Sequence, residues 1–366
     1  MKLLTKLNPN VAAIQPYEPG RPIEEVAREL GLDPATIIKL ASNESGLGPS
    51  PRAMTAVRAA LKDAHRYPDG GAYELRGKLA AQFGLERANL VLGNGSNELL
   101  ELVGHCFLGP GRSAVFSKHA FVVYKLVSVL FGARQIEVPC TPGLGHDLDA
   151  MAAAIAPDTA VIFVCNPNNP TGTMVDAKAL RRFLGRMPDD VLVVLDEAYA
   201  ELCTAAYPDS IPEVKAGRNV LICRTFSKSY GLAGLRLGYG LAAPPLARAL
   251  DQARQPFNVN SLAQAAALAA LDDKEFVARN RELCRQGKAY LENQCRRLGL
   301  PFIPSFANFM LIEVGDGAQV TKDLQAAGVI VRPMGGYGLP QYLRVTYGMP
   351  EENERFVRTL SRVLGR

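Results

Sequence analysis

The sequence contains no tryptophan, only four histidines, and no cysteines in a C-x-x-C arrangement. The histidines form no i, i+4 pair, so we predict that no metal is bound. The seven cysteines are odd in number and widely spaced, which favours reduced thiols over a disulfide framework. A secretory leader and a bilayer-length apolar run are also missing. The sequence therefore predicts a cytoplasmic protein without a membrane partner.

A strong charge of one sign is absent as well. The chain has 41 basic and 36 acidic side chains, for a net charge of +5, and the basic ones are dispersed. This distribution argues against a nucleic-acid partner but leaves small anionic ligands open. With 366 residues, 48% of them hydrophobic, the chain is long enough for two subdomains.

Short apolar segments alternate with helix-length segments in the middle of the chain. The predicted strands are 90–92, 113–116, 135–138, 160–165, 191–195, 220–223 and 237–241. Such alternation predicts an α/β domain with a mostly parallel sheet. The segment 191–195 is apolar at every position, as expected for a strand that is covered on both faces.

Three regions are predicted along the chain. Residues 1–50, rich in proline and glycine, form an N-terminal arm and part of a small domain, with a helix over about 23–30. Residues 51–257 form the large α/β domain. Residues 258–366 form a smaller α+β domain, with helices over 262–271, 274–298 and 351–364 and strands over 309–314 and 342–345.

Lys228 lies just after the apolar segment 220–223, in T-F-S-K-S-Y-G-L-A-G-L-R. Functional sites of open α/β sheets lie at such strand ends. A lysine amine can bond to an aldehyde, and Thr225, Ser227 and Arg236 could together hold a phosphate. Pyridoxal 5'-phosphate carries both groups. Taken alone, such a lysine is more often a solvated loop residue beside turn glycines.

Polar side chains follow two neighbouring predicted strands. Asn169 lies in N-P-N-N-P-T-G, and its amide could donate to a phenolate oxygen. Asp196 directly follows the apolar segment 191–195, where an unpaired carboxylate is costly, so a cationic partner is expected. That partner could be a protonated pyridine nitrogen or a neighbouring arginine. Tyr199, three residues on, could reach the same ring.

The turn G-N-G-S-N-E over 93–98 stands between a strand and a helix and could bind a phosphate through Gly95, Ser96 and Asn97. It departs from the dinucleotide fingerprint G-x-G-x-x-G, because Glu98 replaces the third glycine and no acid ends the next strand. A nicotinamide enzyme is therefore disfavoured. Phe121, at the start of a predicted helix, could stack on a flat ring or simply pack in the core.

In this order, the motifs resemble those of fold type I pyridoxal-phosphate aminotransferases over nearly the whole chain. The resemblance narrows to histidinol-phosphate aminotransferases through P-Y-E-P-G-R-P-I-E-E-V at 16–26, K-L-A-S-N-E at 39–44, R-Y-P-D at 66–69, N-N-P-T-G, D-E-A-Y and S-K-S-Y-G-L-A-G-L-R. It implies a large domain with a mostly parallel sheet, a small α+β domain and an N-terminal arm.

The resemblance also implies a role for each position. Lys228 would bond to the cofactor, Asp196 would face its ring nitrogen, Asn169 and Tyr199 would bind its 3'-oxygen, and Phe121 would stack on the ring. The phosphate would be held by Gly95, Ser96, Asn97, Thr225, Ser227, Arg236 and, from the second subunit of a homodimer, Tyr67. The substrate would be bound by Arg344, with Tyr17, Asn43 and Arg332 as further candidates.

The implied reaction is amino transfer from glutamate to imidazole acetol phosphate, which gives 2-oxoglutarate and L-histidinol phosphate. An aromatic or phenylalanine aminotransferase, a threonine-phosphate decarboxylase and a cofactor-binding regulatory protein remain as alternatives. Two segments depart from the family: Asn43-Glu44-Ser45-Gly46 replaces the common N-E-N-P, and His119-Ala120-Phe121 replaces P-T-Y or P-S-F. These departures leave room for a shifted substrate range.

Overall fold

The computed structural model describes residues 2–14, 16, 20–203 and 205–366. Its strands are β1 (Ile38–Lys39), β2 (Leu90–Gly93), β3 (Ser113–Ser117), β4 (Arg134–Val138), β5 (Thr159–Cys165), β6 (Leu192–Asp196), β7 (Val220–Thr225), β8 (Gly238–Ala242), β9 (Phe302–Ile303), β10 (Phe309–Glu313), β11 (Val329–Ile330), β12 (Arg332–Pro333) and β13 (Tyr342–Thr346).

The α-helices alternate with these strands and then lengthen toward the C-terminus. They are α1 (Pro9–Ala13), α2 (Ile23–Leu30), α3 (Pro51–Ala60), α4 (Tyr73–Phe83), α5 (Ser96–Phe107), α6 (Val122–Leu130), α7 (Leu148–Ala153), α8 (Ala177–Leu184), α9 (Ile211–Lys215), α10 (Pro244–Ala253), α11 (Ser261–Leu271), α12 (Lys274–Arg297), α13 (Gly317–Ala326) and α14 (Pro350–Val363).

A seven-stranded sheet in the order β2-β8-β7-β6-β5-β3-β4 forms the large domain. Strands β3 to β7 are mutually parallel, whereas β8 runs antiparallel to both β2 and β7. The predicted α/β class and mostly parallel sheet are confirmed. Because β5, β6 and β7 are parallel neighbours, the polar residues that follow them meet at one edge.

The all-apolar character of β6 follows from burial on both faces. Val193 and Leu195 pack into one hydrophobic cluster, with residues of α3, α8 and α11. Leu192 and Val194 pack into the cluster on the other face, with residues of α5, α6 and α10. Side chains alternate along a strand, so a strand covered by helices on both faces needs apolar residues at successive positions.

A second, four-stranded antiparallel sheet, β12-β13-β10-β9, packs against α12, α13 and α14. The N-terminal region joins this part of the molecule, since β1 pairs in parallel with β11. Two-residue strands such as β1 and β11 were not predicted, because their sequences carry no periodicity. Among the described residues, no helix is both long and apolar enough to cross a membrane.

The division of the chain at residue 257 remains a prediction, and we propose to move it beyond α11. Ala263, Ala266, Ala267 and Ala270 of this helix lie in the same core as β6 and α3. The small side chains let α11 approach the large domain closely. The following helix, α12, contributes Cys284, Leu291 and Cys295 to the core of the small domain.

Candidate active site

A cleft of about 410 Å³ lies where the carboxyl ends of β5, β6 and β7 meet the small domain. Its walls also include the loop after β1 and residues of β12 and β13. The predicted site residues that line it are Asn43, Ser96, Asn97, Phe121, Asn169, Asp196, Tyr199, Thr225, Ser227, Lys228, Arg236, Arg332 and Arg344. The structure thus gathers side chains that are up to 301 positions apart, as for Asn43 and Arg344 (344 − 43).

Lys228 follows the end of β7 and points its amine into the cleft, where Nζ donates to the carbonyl oxygen of Ser42 at 3.4 Å. Burial, with the nearby cation of Arg344 as the next cause, lowers the pKa of Lys228 to about 8. An amine with this pKa is neutral in a sizeable fraction of molecules near neutral pH. Since only the neutral amine is a nucleophile, the site favours carbonyl chemistry at Lys228.

Asp196 ends β6 and is buried. Its Oδ2 accepts a hydrogen bond from Tyr124 Oη at 2.7 Å, and its Oδ1 accepts one from the Ala198 amide at 3.3 Å. Burial raises the pKa of Asp196 to about 6, although the bond from Tyr124 acts in the opposite direction. A cation placed against this carboxylate in the cleft would stabilise its charged form.

The neighbouring carboxylate, Glu197, points to the other side of the strand. It forms an ion pair with Arg224 at 2.7 Å, in which the Glu197 side chain is buried and the Arg224 side chain is 13% exposed. The sequence allowed Asp196 to pair with a neighbouring arginine, but here the arginine pairs with Glu197. Asp196 instead faces the cleft, as the alternation of side chains along β6 requires.

An anion cradle lies at the N-terminus of α5. Gly95 has φ 78°, and a Cβ built on it would lie 2.3 Å from Nη2 of Arg236. Arg236 donates through Nη1 to the Ala233 carbonyl at 3.0 Å. The Ser227 amide donates to Oγ1 of Thr225 at 3.1 Å, so both residues keep to the same turn. A helix N-terminus, hydroxyls and a guanidinium together suit a phosphate.

Arg344 projects from β13 into the opposite wall and is buried. Its Nη1 donates to Oδ1 of Asn169 at 2.6 Å, and its Nη2 donates to the Ala41 carbonyl at 2.9 Å. Because the amide oxygen of Asn169 is engaged, its amide nitrogen is the atom that can donate to a ligand. Beside it, Tyr199 Oη accepts a hydrogen bond from Nδ2 of Asn43 at 3.1 Å.

An aromatic group closes one side of the cleft. Phe121 caps the N-terminus of α6, and its ring stands perpendicular to Tyr124 with 5.8 Å between ring centroids. Tyr124 in turn stacks on Phe163 at 4.7 Å. Tyr124 thus supports both Phe121 and Asp196, a double contact that sequence analysis missed. Its position one helical turn after Phe121 was the available signal.

Among the described residues, two predicted site residues, Gly95 and Tyr67, are absent from the lining of the cleft, and Gly95 directly precedes the lining residue Ser96. The Tyr67 side chain is 83% exposed and stacks on Phe257, with 4.9 Å between ring centroids. Its predicted contact with a second subunit therefore stays a prediction. Tyr17 lies outside the described residues. Ser42, Glu44 and Tyr337 also line the cleft, although sequence analysis did not single them out.

Residues 35–360 match the family described as aminotransferase class I and II. The chain belongs to this family, and the protein is an aminotransferase. The seven-stranded sheet, the lysine after β7 and the anion cradle all lie within the matched residues. Solved structures agree: an aspartate aminotransferase double mutant from Thermus thermophilus superposes with a TM-score of 0.84 at 25% identity, covering 98% of this chain and 99% of that one.

Within the family, the chain groups with the histidinol-phosphate aminotransferases. It is 51% identical to histidinol-phosphate aminotransferase 2 of Pseudomonas aeruginosa over 99% of this chain and 98% of that one. It is 48% identical to the enzyme of Akkermansia muciniphila over 100% of both. The Sinorhizobium meliloti enzyme, solved in complex with pyridoxal-5'-phosphate, has a TM-score of 0.89 at 28% identity, covering 99% of this chain and 98% of that one.

Proposed function

We propose that the protein transfers the amino group of glutamate to imidazole acetol phosphate, yielding 2-oxoglutarate and L-histidinol phosphate, with pyridoxal 5'-phosphate held at Lys228. One observation carries the proposal: an amine of lowered pKa, a buried carboxylate and an anion cradle meet in a single cleft. The names of the relatives that are about half identical support the choice of substrate.

The residues of the cleft fit the cofactor at three points. Glycine at position 95 lets the Arg236 guanidinium lie against the cradle, since a Cβ there would stand 2.3 Å from Nη2 of Arg236. Asp196 receives hydrogen bonds from Tyr124 and Ala198 and offers its charge to a protonated ring nitrogen. Lys228 presents its amine to an aldehyde. These three groups match the phosphate, the ring and the aldehyde of pyridoxal 5'-phosphate.

When bound, pyridoxal 5'-phosphate supplies an aldehyde that bonds to amines and a ring that accepts the electrons of a broken Cα–H bond. Lys228 would hold the cofactor through its amine, and the freed amine would be the group that moves a proton between the substrate Cα and the cofactor C4'. Asp196 would keep the ring nitrogen protonated. Asn169 and Tyr199 would donate to the 3'-oxygen, and Phe121 would pack on the ring face.

Arg344 is the proposed group for the substrate's anion, because its guanidinium is already oriented by Asn169 and Ala41. A planar fork suits the carboxylate of glutamate, and the same site must accept the phosphate of the second substrate. Arg332, which also lines the cleft, is the proposed partner of the distal anion. Tyr17 keeps that role as a sequence-based prediction.

A homodimer with shared active sites forms part of this proposal. Tyr67 and Phe257 form an exposed aromatic pair, which supports a contact with a second copy of the chain. In such a dimer, Tyr67 of one subunit would reach the phosphate of the other. A fully active monomer in sedimentation would contradict this arrangement. Cytoplasmic location and the absence of nucleic-acid partners stay predictions from the sequence.

The function is tested by absorbance spectroscopy of the purified protein supplied with pyridoxal 5'-phosphate. We expect a visible band that is lost on addition of histidinol phosphate and returns with 2-oxoglutarate. A band that responds to phenylalanine and glutamate but not to histidinol phosphate would make the protein an aromatic aminotransferase. Carbon dioxide release from threonine phosphate without an amino acceptor would make it a decarboxylase. Failure to form any band would refute the role of Lys228.

A further inference from the structure

The segment 40–43 joins the small domain along one side. The Leu40 carbonyl accepts from the Thr346 amide at 2.8 Å. The Ala41 carbonyl accepts from Nη2 of Arg344 at 2.9 Å. Through Leu40 and Ala41, the segment is bound both to the backbone of β13 and to the arginine that β13 directs into the cleft.

The same segment contacts the large domain on its other side. The Ser42 carbonyl accepts from Nζ of Lys228 at 3.4 Å, and Nδ2 of Asn43 donates to Tyr199 Oη at 3.1 Å. Successive residues therefore contact the strand that carries Arg344 and the two large-domain groups that would face the cofactor. Among these contacts, only the one from Asn43 is made by a side chain of the segment.

Each polar group of Asn43 is engaged within the protein. Its backbone amide donates to Oγ1 of Thr346 at 2.9 Å, and its side-chain Oδ1 accepts from the same hydroxyl at 3.2 Å. Its backbone carbonyl accepts from Nδ2 of Asn308 at 3.1 Å. The residue is 2% exposed and has φ 55°, a left-handed conformation that asparagine tolerates better than most residues. A side chain held in this way has little capacity left for a substrate.

The direction of the bond to Tyr199 has a chemical consequence. Because Asn43 donates, the Tyr199 oxygen is the acceptor, and the hydroxyl hydrogen must point elsewhere. Tyr199 lines the cleft, so the hydrogen can be directed toward an oxygen bound there. Burial raises the pKa of Tyr199, which keeps the hydroxyl protonated and able to donate.

We propose that Asn43 is a positioning residue that acts on the reaction through Tyr199: it orients the Tyr199 hydroxyl as a donor to the cofactor's 3'-oxygen and ties it to the strand that carries Arg344. The inference rests on the proposed function and replaces the substrate contact predicted for Asn43 from the sequence. A positioning residue of this kind affects the electronic state of the bound cofactor more than the affinity for substrate.

The test is a double-mutant cycle with Asn43→Gly, Tyr199→Phe and both together, read by pH titration of the visible band of bound pyridoxal 5'-phosphate. Glycine retains the left-handed backbone. We expect Asn43→Gly to shift the titration midpoint in the direction of Tyr199→Phe and to lower kcat about tenfold, with KM changed less than about threefold. In the Tyr199→Phe background, Asn43→Gly should add no further shift.

An undiminished effect of Asn43→Gly in that background, or a rise in KM with kcat unchanged, would overturn the proposal in favour of direct substrate contact. Asn43→Asp provides a second variant of equal size, which reverses the bond because a carboxylate only accepts. Asn43→Asp should shift the midpoint of the pH titration at least as far as Asn43→Gly does. An Asn43→Asp variant with the same titration midpoint as the wild type would refute the inference. Asn308→Ala, which removes only the bond to the Asn43 carbonyl, should leave the midpoint unchanged.

The double-mutant cycle, read by pH titration of the visible band, tests this inference separately from the proposed function. The titration needs bound cofactor but no amino substrate, so it decides the role of Asn43 even if the wild-type band responds to phenylalanine and not to histidinol phosphate. The response of wild-type protein to histidinol phosphate, in contrast, tests the substrate assignment alone. Each measurement can therefore fail without changing the interpretation of the other.

Discussion

Two clefts of nearly equal volume lie at opposite ends of the large sheet. The one at the carboxyl ends of the strands measures about 410 Å³, and the one at the amino ends about 430 Å³. In the amino-end cleft, Asp158 pairs with Arg134 at 2.6 Å, and Arg112 donates to the Phe107 carbonyl at 2.9 Å. These three charged groups thus bond to their own surroundings, and the two arginines are exposed to water.

The carboxyl-end cleft differs in charge and burial. Cationic groups converge on it from both domains, and burial gives Lys228 and Asp196 pKa values of about 8 and about 6. Such shifted pKa values are typical of catalytic groups. The comparison teaches that volume does not distinguish the two clefts. The carboxyl end differs because consecutive parallel strands all release their loops there.

The difference between the two clefts predicts that the largest loss of activity follows substitution of Lys228. Lys228→Ala should lower the rate of amino transfer by about 10⁴-fold or more, since Lys228 is the one lysine among the described residues that line the cleft. Stopped-flow spectroscopy of a single half-reaction measures this rate. Lys125→Ala is the control, because Lys125 is an exposed lysine paired with Glu137 at 2.8 Å. Substantial turnover by the Lys228 variant would remove the main distinction between the clefts.

Asp196→Asn should lower kcat/KM by roughly 10²- to 10³-fold, because a neutral amide cannot stabilise a protonated ring nitrogen. Steady-state kinetics measures the loss. The adjacent Glu197→Gln is a matched control, since Glu197 pairs with Arg224 on the other side of β6. It should lower thermal stability and leave the absorbance of the bound cofactor unchanged. Equal kinetic losses in both variants would contradict the assignment of Asp196.

The same variant predicts a pH effect on the cofactor-free protein. Burial raises the pKa of Asp196 to about 6 in the folded state. A raised carboxyl pKa adds stability that is complete below the unfolded pKa of about 4 and is lost as the pH rises through about 6. Relative to Asp196→Asn, the wild type should therefore lose on the order of a hundredfold in its folding equilibrium constant between pH 4 and pH 7. Urea unfolding at several pH values measures this, and a difference independent of pH would contradict it.

The anion cradle can be tested with glycines of matched backbone. Gly95 and Gly111 have φ 78° and 79°, but only at Gly95 would a Cβ collide with Arg236, whereas Gly111 has nothing within 4 Å. Both alanine variants should lose stability through backbone strain. Only Gly95→Ala should also weaken pyridoxal 5'-phosphate binding, by about tenfold or more. Equal affinities by fluorescence titration would show that the cradle does not hold the phosphate.

Sequence reasoning located the strand-end residues well, because an apolar segment followed by a polar residue is a local signal. Lys228, Asp196 and Asn169 were found in this way, and the structure places all three in one cleft. The contacts of Tyr124 and Asn43 were not predicted. Tyr124 reaches Asp196 across 72 positions, and Asn43 reaches Tyr199 across 156. Such contacts depend on how separate elements pack, and one sequence carries no local sign of them.

The smallest expected effect belongs to an arginine at the amino-end cleft, compared with its counterpart at the carboxyl end. Arg112 and Arg236 are both exposed, and each donates through Nη1 to a backbone carbonyl, at 2.9 Å and 3.0 Å. Arg236→Gln should weaken pyridoxal 5'-phosphate binding about tenfold, through the loss of a charge-assisted bond to the phosphate. Arg112→Gln should change it by less than about twofold, as is usual for a surface substitution. The two side chains make equivalent hydrogen bonds to backbone carbonyls. A difference between the two variants in affinity for pyridoxal 5'-phosphate would therefore reflect the end of the sheet at which each arginine lies. Equal losses would mean that the cofactor responds to the overall charge of the protein and not to the cradle.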